Sequence, residues 1–103
     1  MANTESKTQT RTRTGLEVKE PPLFRVIYLN DDKTAMDFVI DSLIDYFGYD
    51  GAAAESITVE IHEKGSATVA VLPYEIAEQK GIEITFNARS NGYPLQIKLE
   101  PDE

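Results

Sequence analysis

The period of the apolar positions changes several times along these 103 residues, and each change marks an element. Phe24-Arg25-Val26-Ile27-Tyr28-Leu29 is rich in β-branched and aromatic side chains and reads as a strand. Met36, Val39, Ile40, Leu43 and Phe47 then recur at three- and four-residue spacing, which predicts a helix from about Ala35 to Phe47 that stops at Gly48. Thr34 stands where an N-cap belongs, with acidic Asp37 in the first turn, and Asp37, Asp41 and Asp45 form a solvated stripe. A second helix is expected after Asp50: it uses the strong formers Ala52-Ala53-Ala54-Glu55, ends at Gly65, and carries Thr58, Ile61 and His62 on one face. Ser66 to Leu72 reads as another strand, Pro73 suits the first turn of a third helix, and Leu95-Gln96-Ile97-Lys98-Leu99 alternates as a last strand.

Two stretches depart from this order. Residues 1–20 are polar and threonine-rich, with Leu16 and Val18 almost alone as large apolar side chains, so a disordered extension is expected over 1–22, ahead of one domain over 23–103. Between Pro73 and Ser90 the pattern supports two readings. Gly81 costs a helix about 1 kcal/mol relative to Ala, and Ile82-Glu83-Ile84-Thr85-Phe86 alternates as a strand would.

Length and composition narrow the classes. The chain has room for one modest core, and without cysteine it can form neither a disulfide nor a thiolate metal site. No stretch approaches the ~20 apolar residues of a membrane span, and Met1-Ala2-Asn3-Thr4 begins no apolar leader, so a cytoplasmic protein is expected. Residues 1–20 carry +1 and residues 21–103 carry −9 of the net −8, which disfavours nucleic acid and anionic membranes and favours cationic partners.

The candidate chemistry lies in two segments. Leu29-Asn30-Asp31-Asp32-Lys33-Thr34-Ala35-Met36 places an amide, two carboxylates, a hydroxyl and a thioether between a strand and a helix, although Asx residues in such a turn also serve their own backbone. Thr58-Val59-Glu60-Ile61-His62-Glu63-Lys64-Gly65 carries the only histidine, near a helix end where a surface histidine is common. One histidine without a second, no cysteine, no Gly-rich phosphate loop and no nucleophile elbow leave little for an enzyme, a metal site or a bound cofactor.

Taken in order, the Leu-Asn-Asp-Asp-x-Thr-x-Met block, Ile61-His62 before Gly65, and Glu75-Ile76-Ala77-Glu78-x-Lys80 resemble ClpS, the small bacterial adaptor that hands proteins with particular N-terminal residues to a Clp AAA+ protease. Pro21-Pro22 and Tyr93-Pro94-Leu95 flank the resemblance, which runs from about Pro21 to Glu100. It implies one long helix to about Arg89, and so an α+β fold in which a small antiparallel sheet packs against three helices in the order βααβαβ. It also implies a monomeric, non-catalytic N-degron adaptor with no cofactor. Asn30, Asp31 and His62 would receive a substrate's α-amino group, and Asp32, Thr34, Met36, Val39, Thr58, Ile61 and Leu95 would surround its first side chain, Leu, Phe, Tyr or Trp. Glu75 and Lys80 would touch the N-terminal domain of the Clp ATPase, of ClpA or ClpC type. Thr58 departs from the family, which usually has Met or a similar apolar residue there. The alternative is an acidic interaction domain that modulates a Clp ATPase without binding N-degrons.

Overall fold

The computed structural model describes residues 20–103. Its elements are β1 (Leu23–Leu29), α1 (Met36–Phe47), α2 (Gly51–Lys64), β2 (Ser66–Pro73), α3 (Tyr74–Ser90) and β3 (Gln96–Pro101), the order βααβαβ. The expectation of disorder concerns residues that, up to position 19, lie outside the described ones; Glu20, Pro21 and Pro22 are exposed and precede β1.

The three strands form one antiparallel sheet in the order β2-β1-β3. Alternation decides its faces: Val26 and Tyr28 of β1 are fully buried beneath the helices, with Leu99 and Ile97 of β3 paired beside them. The opposite face carries Arg25, Lys98 and Glu100, linked by contacts of 3.0 Å (Arg25 to Glu100) and 2.7 Å (Lys98 to Glu100). Val39, Leu43, Ala54, Ile61, Ala67, Val69, Ala77, Ile84, Ala88 and Leu95 complete the core. Burial lifts the Tyr28 phenol far above its usual pKa despite a 2.8 Å hydrogen bond with the Ser42 hydroxyl, which itself donates to the Val39 carbonyl.

The helix ends follow local chemistry with one correction. Gly48 and Gly65 close α1 and α2 in the left-handed region that favours glycine (φ 76° and 91°), and Asp50 caps α2 by accepting from the Ala53 N–H at 2.8 Å. Thr34, expected as the cap of α1, does not fill that place. Its hydroxyl donates 2.8 Å to the Asp31 carboxylate, so the N-cap is Ala35, which has no side-chain acceptor to offer.

The ambiguous segment is helical throughout. Ala77, Gly81, Ile84 and Ala88 recur every three or four residues along one face of α3, and the narrow Gly81 sits close to β3: a Cβ there would meet Ile97 Cγ2 at 3.8 Å. The strand-like alternation misleads because only Ile84 of its three apolar residues is buried, whereas Ile82 and Phe86 are 63% and 73% exposed. Among the described residues no helix is long and apolar enough to cross a membrane.

Candidate functional site

Two backbone links bring the separated segments together. The Asn30 N–H donates 2.9 Å to the Gly65 carbonyl, so the residue after β1 is fixed to the end of α2, three residues beyond His62. The Arg89 guanidinium donates to the carbonyls of Tyr93 (2.9 Å) and Leu95 (2.8 Å), which ties the approach to β3 onto α3 and holds Leu95 inward, 1% exposed.

Between these segments lies a cavity of about 230 Å³ lined by Asn30, Asp31, Asp32, Thr34, Met36, Val39, Thr58, Ile61, His62 and Leu95, together with Leu29. The ten residues that the sequence singled out for amine and side-chain binding therefore share one cavity. Leu29 was missed, although its place beside Asn30 in the same block was the available signal. Glu75 and Lys80 lie elsewhere. Glu75 is exposed in the first turn of α3, whereas the Lys80 ammonium donates 2.8 Å to the Tyr46 carbonyl and stands 5.7 Å from the Phe47 ring centre, joining α3 to the end of α1.

The cavity is graded from polar to apolar. Asn30, Asp32 and His62 are exposed at its mouth, while Val39, Thr58, Ile61 and Leu95 are each less than a tenth exposed. Met36, the first residue of α1, is 46% exposed and stands at the rim. The Thr58 hydroxyl is occupied, donating 2.8 Å to the Ala54 carbonyl of its own helix, so the side chain has only its methyl to offer an apolar guest.

Asp31 organises the loop. One carboxylate oxygen accepts from the N–H groups of Lys33 (2.8 Å) and Thr34 (2.6 Å), and the other from the Thr34 hydroxyl (2.8 Å). Burial pushes its pKa upward, but these hydrogen bonds, from Thr34 and Lys33, and the Arg89 charge outweigh that and hold it below the usual carboxylate value. With three hydrogen bonds accepted, two on one oxygen and one on the other, the second oxygen keeps further acceptor capacity.

A loop carboxylate, an amide and an imidazole thus stand at the mouth of one largely apolar cavity. The family model described as "ATP-dependent Clp protease adaptor protein ClpS" matches residues 19–98. The chain belongs to the ClpS family. It is 40% identical to the ATP-dependent Clp protease adapter protein ClpS of Roseobacter denitrificans, over 96% of this chain and 88% of that protein. The ClpS of Deinococcus radiodurans is also 40% identical, over 95% and 85%. Among solved structures, Agrobacterium tumefaciens ClpS2 bound to L-phenylalaninamide superposes with a TM-score of 0.77 at 35% identity, covering 81% of this chain and all of that one. ClpS is a family of adaptors of the Clp protease.

Proposed function

We propose that this ClpS-family chain is an N-degron adaptor: its cavity takes the first residue of a protein whose N-terminus is Leu, Phe, Tyr or Trp, and the bound protein is passed to a Clp ATPase. The reading is carried by the continuity of a polar mouth with an apolar interior in one cavity. An α-amino group titrates near ~8, so at neutral pH it is largely an ammonium that seeks several acceptors. Asn30, Asp31 and His62 supply an amide oxygen, a charged carboxylate and a ring nitrogen, and bonds to a charged donor are stronger than neutral ones. Behind them Val39, Ile61, Leu95 and the Thr58 methyl receive the side chain. The ligand named with the Agrobacterium protein, L-phenylalaninamide, has the same two parts, a free amine and an apolar ring.

Delivery would use the side of α3 away from the cavity. Exposed Glu75 is the group that reaches the N-terminal domain of the ATPase, and Lys80, with one donor held by Tyr46, keeps that part of α3 seated on α1. Peptides differing only in their first residue, titrated against the protein, test the reading: Leu, Phe, Tyr and Trp bind, whereas Gly, Ser and Glu do not. His62→Ala weakens the four by roughly 1.5–3 kcal/mol, the scale of a hydrogen bond to a charged group. A flat response across the panel removes N-terminal recognition and leaves an acidic module for the ATPase.

A further inference from the structure

Leu95 lines the cavity at 1% exposure, yet it stands in the connection between α3 and β3 rather than in either element. The ladder with β1 begins one residue later, at Gln96 opposite Leu29, and Pro94 before it has no N–H to donate, so regular pairing does not hold Leu95 in place. A single nitrogen of the Arg89 side chain does. It donates to the carbonyls on both sides of Pro94, that of Tyr93 at 2.9 Å and that of Leu95 at 2.8 Å. The rest of the connection folds back on the same helix end: the Tyr93 N–H bonds the Ala88 carbonyl at 2.9 Å, the Gly92 N–H bonds the Arg89 carbonyl at 3.0 Å, and Gly92 turns in the left-handed region (φ 79°) that glycine tolerates. The Tyr93 ring then meets Phe38 of α1 edge-on, with ring centres 5.3 Å apart, next to Val39 in the cavity wall.

Arg89 is not itself among the residues around the cavity. It borders a separate recess of about 340 Å³, and Leu29 is the one residue that lines both. Arg89 thus stands behind the cavity wall, near enough for its charge to act on the Asp31 carboxylate at the mouth.

We propose that Arg89 is a positioning residue for the substrate's first side chain: by clamping Tyr93-Pro94-Leu95 to the end of α3 it fixes Leu95, and so sets the depth of cavity against which short and long side chains are ranked. This role rests on the N-degron reading above and adds to it a residue outside the cavity. A wall already in place gives its contacts without an ordering cost at the moment of binding. A short side chain such as Leu depends on that, because a wall that withdraws leaves it facing a gap, whereas a long ring such as Trp reaches far enough to keep contact. The guanidinium suits the task, since its planar fork aims its donors in fixed directions, while a lysine ammonium on a flexible stem is a point charge without that geometry.

The clamp and the charge are separable by experiment. Full-length wild type, Arg89→Met and Arg89→Lys are titrated with two peptides that differ only in a first residue of Leu or Trp. Both bring the same ammonium to Asn30, Asp31 and His62, so the ratio of their affinities isolates the side chain. Arg89→Met raises Trp relative to Leu by about fourfold, the scale of one buried methylene, through loss of Leu affinity. Arg89→Lys keeps the charge but not the fork, so the ratio stays raised. In the free protein the Asp31 titration midpoint, followed by carboxyl NMR, keeps its wild-type value in Arg89→Lys and rises toward the ordinary carboxylate value in Arg89→Met. General loosening of the fold lowers both affinities alike and leaves the ratio where it was. An unchanged ratio in Arg89→Met, an equal fall for the two peptides, or full return of the wild-type ratio in Arg89→Lys overturns the proposal, the last by assigning the effect to charge rather than to the clamp. Wild-type protein that binds neither peptide overturns the N-degron reading and this role with it.

Discussion

At the scale of single residues, Asp31 holds the site together and is part of it. Its carboxylate accepts three hydrogen bonds from Lys33 and Thr34 and lines the cavity, so Asp31→Asn weakens the loop's anchor and removes the charge that, in the proposed function, meets an incoming ammonium. Because its folded-state pKa is depressed, the stabilising effect is present above the ordinary carboxylate pKa of about 4 and is lost only as pH falls through the lower folded value. The ratio of wild-type to Asp31→Asn peptide affinity should therefore stay constant from about pH 7, where the peptide's α-amino group is largely an ammonium, to about pH 5, and narrow only in stronger acid. A ratio that changes between pH 7 and pH 6 would place the relevant titration on another group. Met36 and Thr58 set the shape of the hole from opposite positions, rim and interior. Met36→Ala should admit Ile and Val N-termini, since a flexible thioether at the rim crowds a side chain branched at Cβ. Thr58→Met should shorten the cavity and raise affinity for Leu relative to Trp by up to about 1–2 kcal/mol, one or two methylenes' worth of burial, measured by peptide titration. The sequence carried the identity of these residues but not the state of their hydroxyls. Nothing in the spacing said that Thr34 would turn back to Asp31, or that Thr58 would commit its hydroxyl hydrogen to the Ala54 carbonyl.

At the scale of elements, α3 was the least legible because its local pattern and its tertiary role conflict. Ile82, Ile84 and Phe86 alternate as in a strand, yet the helix buries the stripe Ala77, Ile84 and Ala88 and leaves the other two apolar residues outside. Gly81 is helical with no positive φ, and the position has room for a methyl group, with Ile97 Cγ2 at ordinary contact distance. Gly81→Ala should thus raise stability by about 0.5–1 kcal/mol in denaturant unfolding, the helix propensity difference, with no loss of peptide affinity. Destabilisation would mean that α3 is pressed against β3 more tightly than 3.8 Å allows. Elements with unopposed signals were read directly: Asp50 and Gly65 bound α2, Gly48 ends α1, and the Phe24 to Leu29 run is the strand over which the helices pack.

At the scale of the whole molecule, the sheet has one face under the helices and one face of paired charges. The site forms where the end of β1, the start of α1, the end of α2 and the approach to β3 meet. That convergence depends on long-range links such as Asn30 to Gly65 and Arg89 to Leu95, which no sequence window contains; the family resemblance brought the segments together where periodicity could not. Residues 21–103, the body around this site, carry −9, a balance that suits a cationic guest. The measurement that tests the central claim most directly is calorimetric titration with one Phe-initiated peptide in two forms, N-terminus free and N-terminus acetylated. In the proposed function Asn30, Asp31 and His62 receive the ammonium, so the free peptide should bind and the acetylated one should not, at any concentration that saturates with the first. Equal affinity for the two would contradict amine recognition and reduce the cavity to an apolar hole with a polar rim.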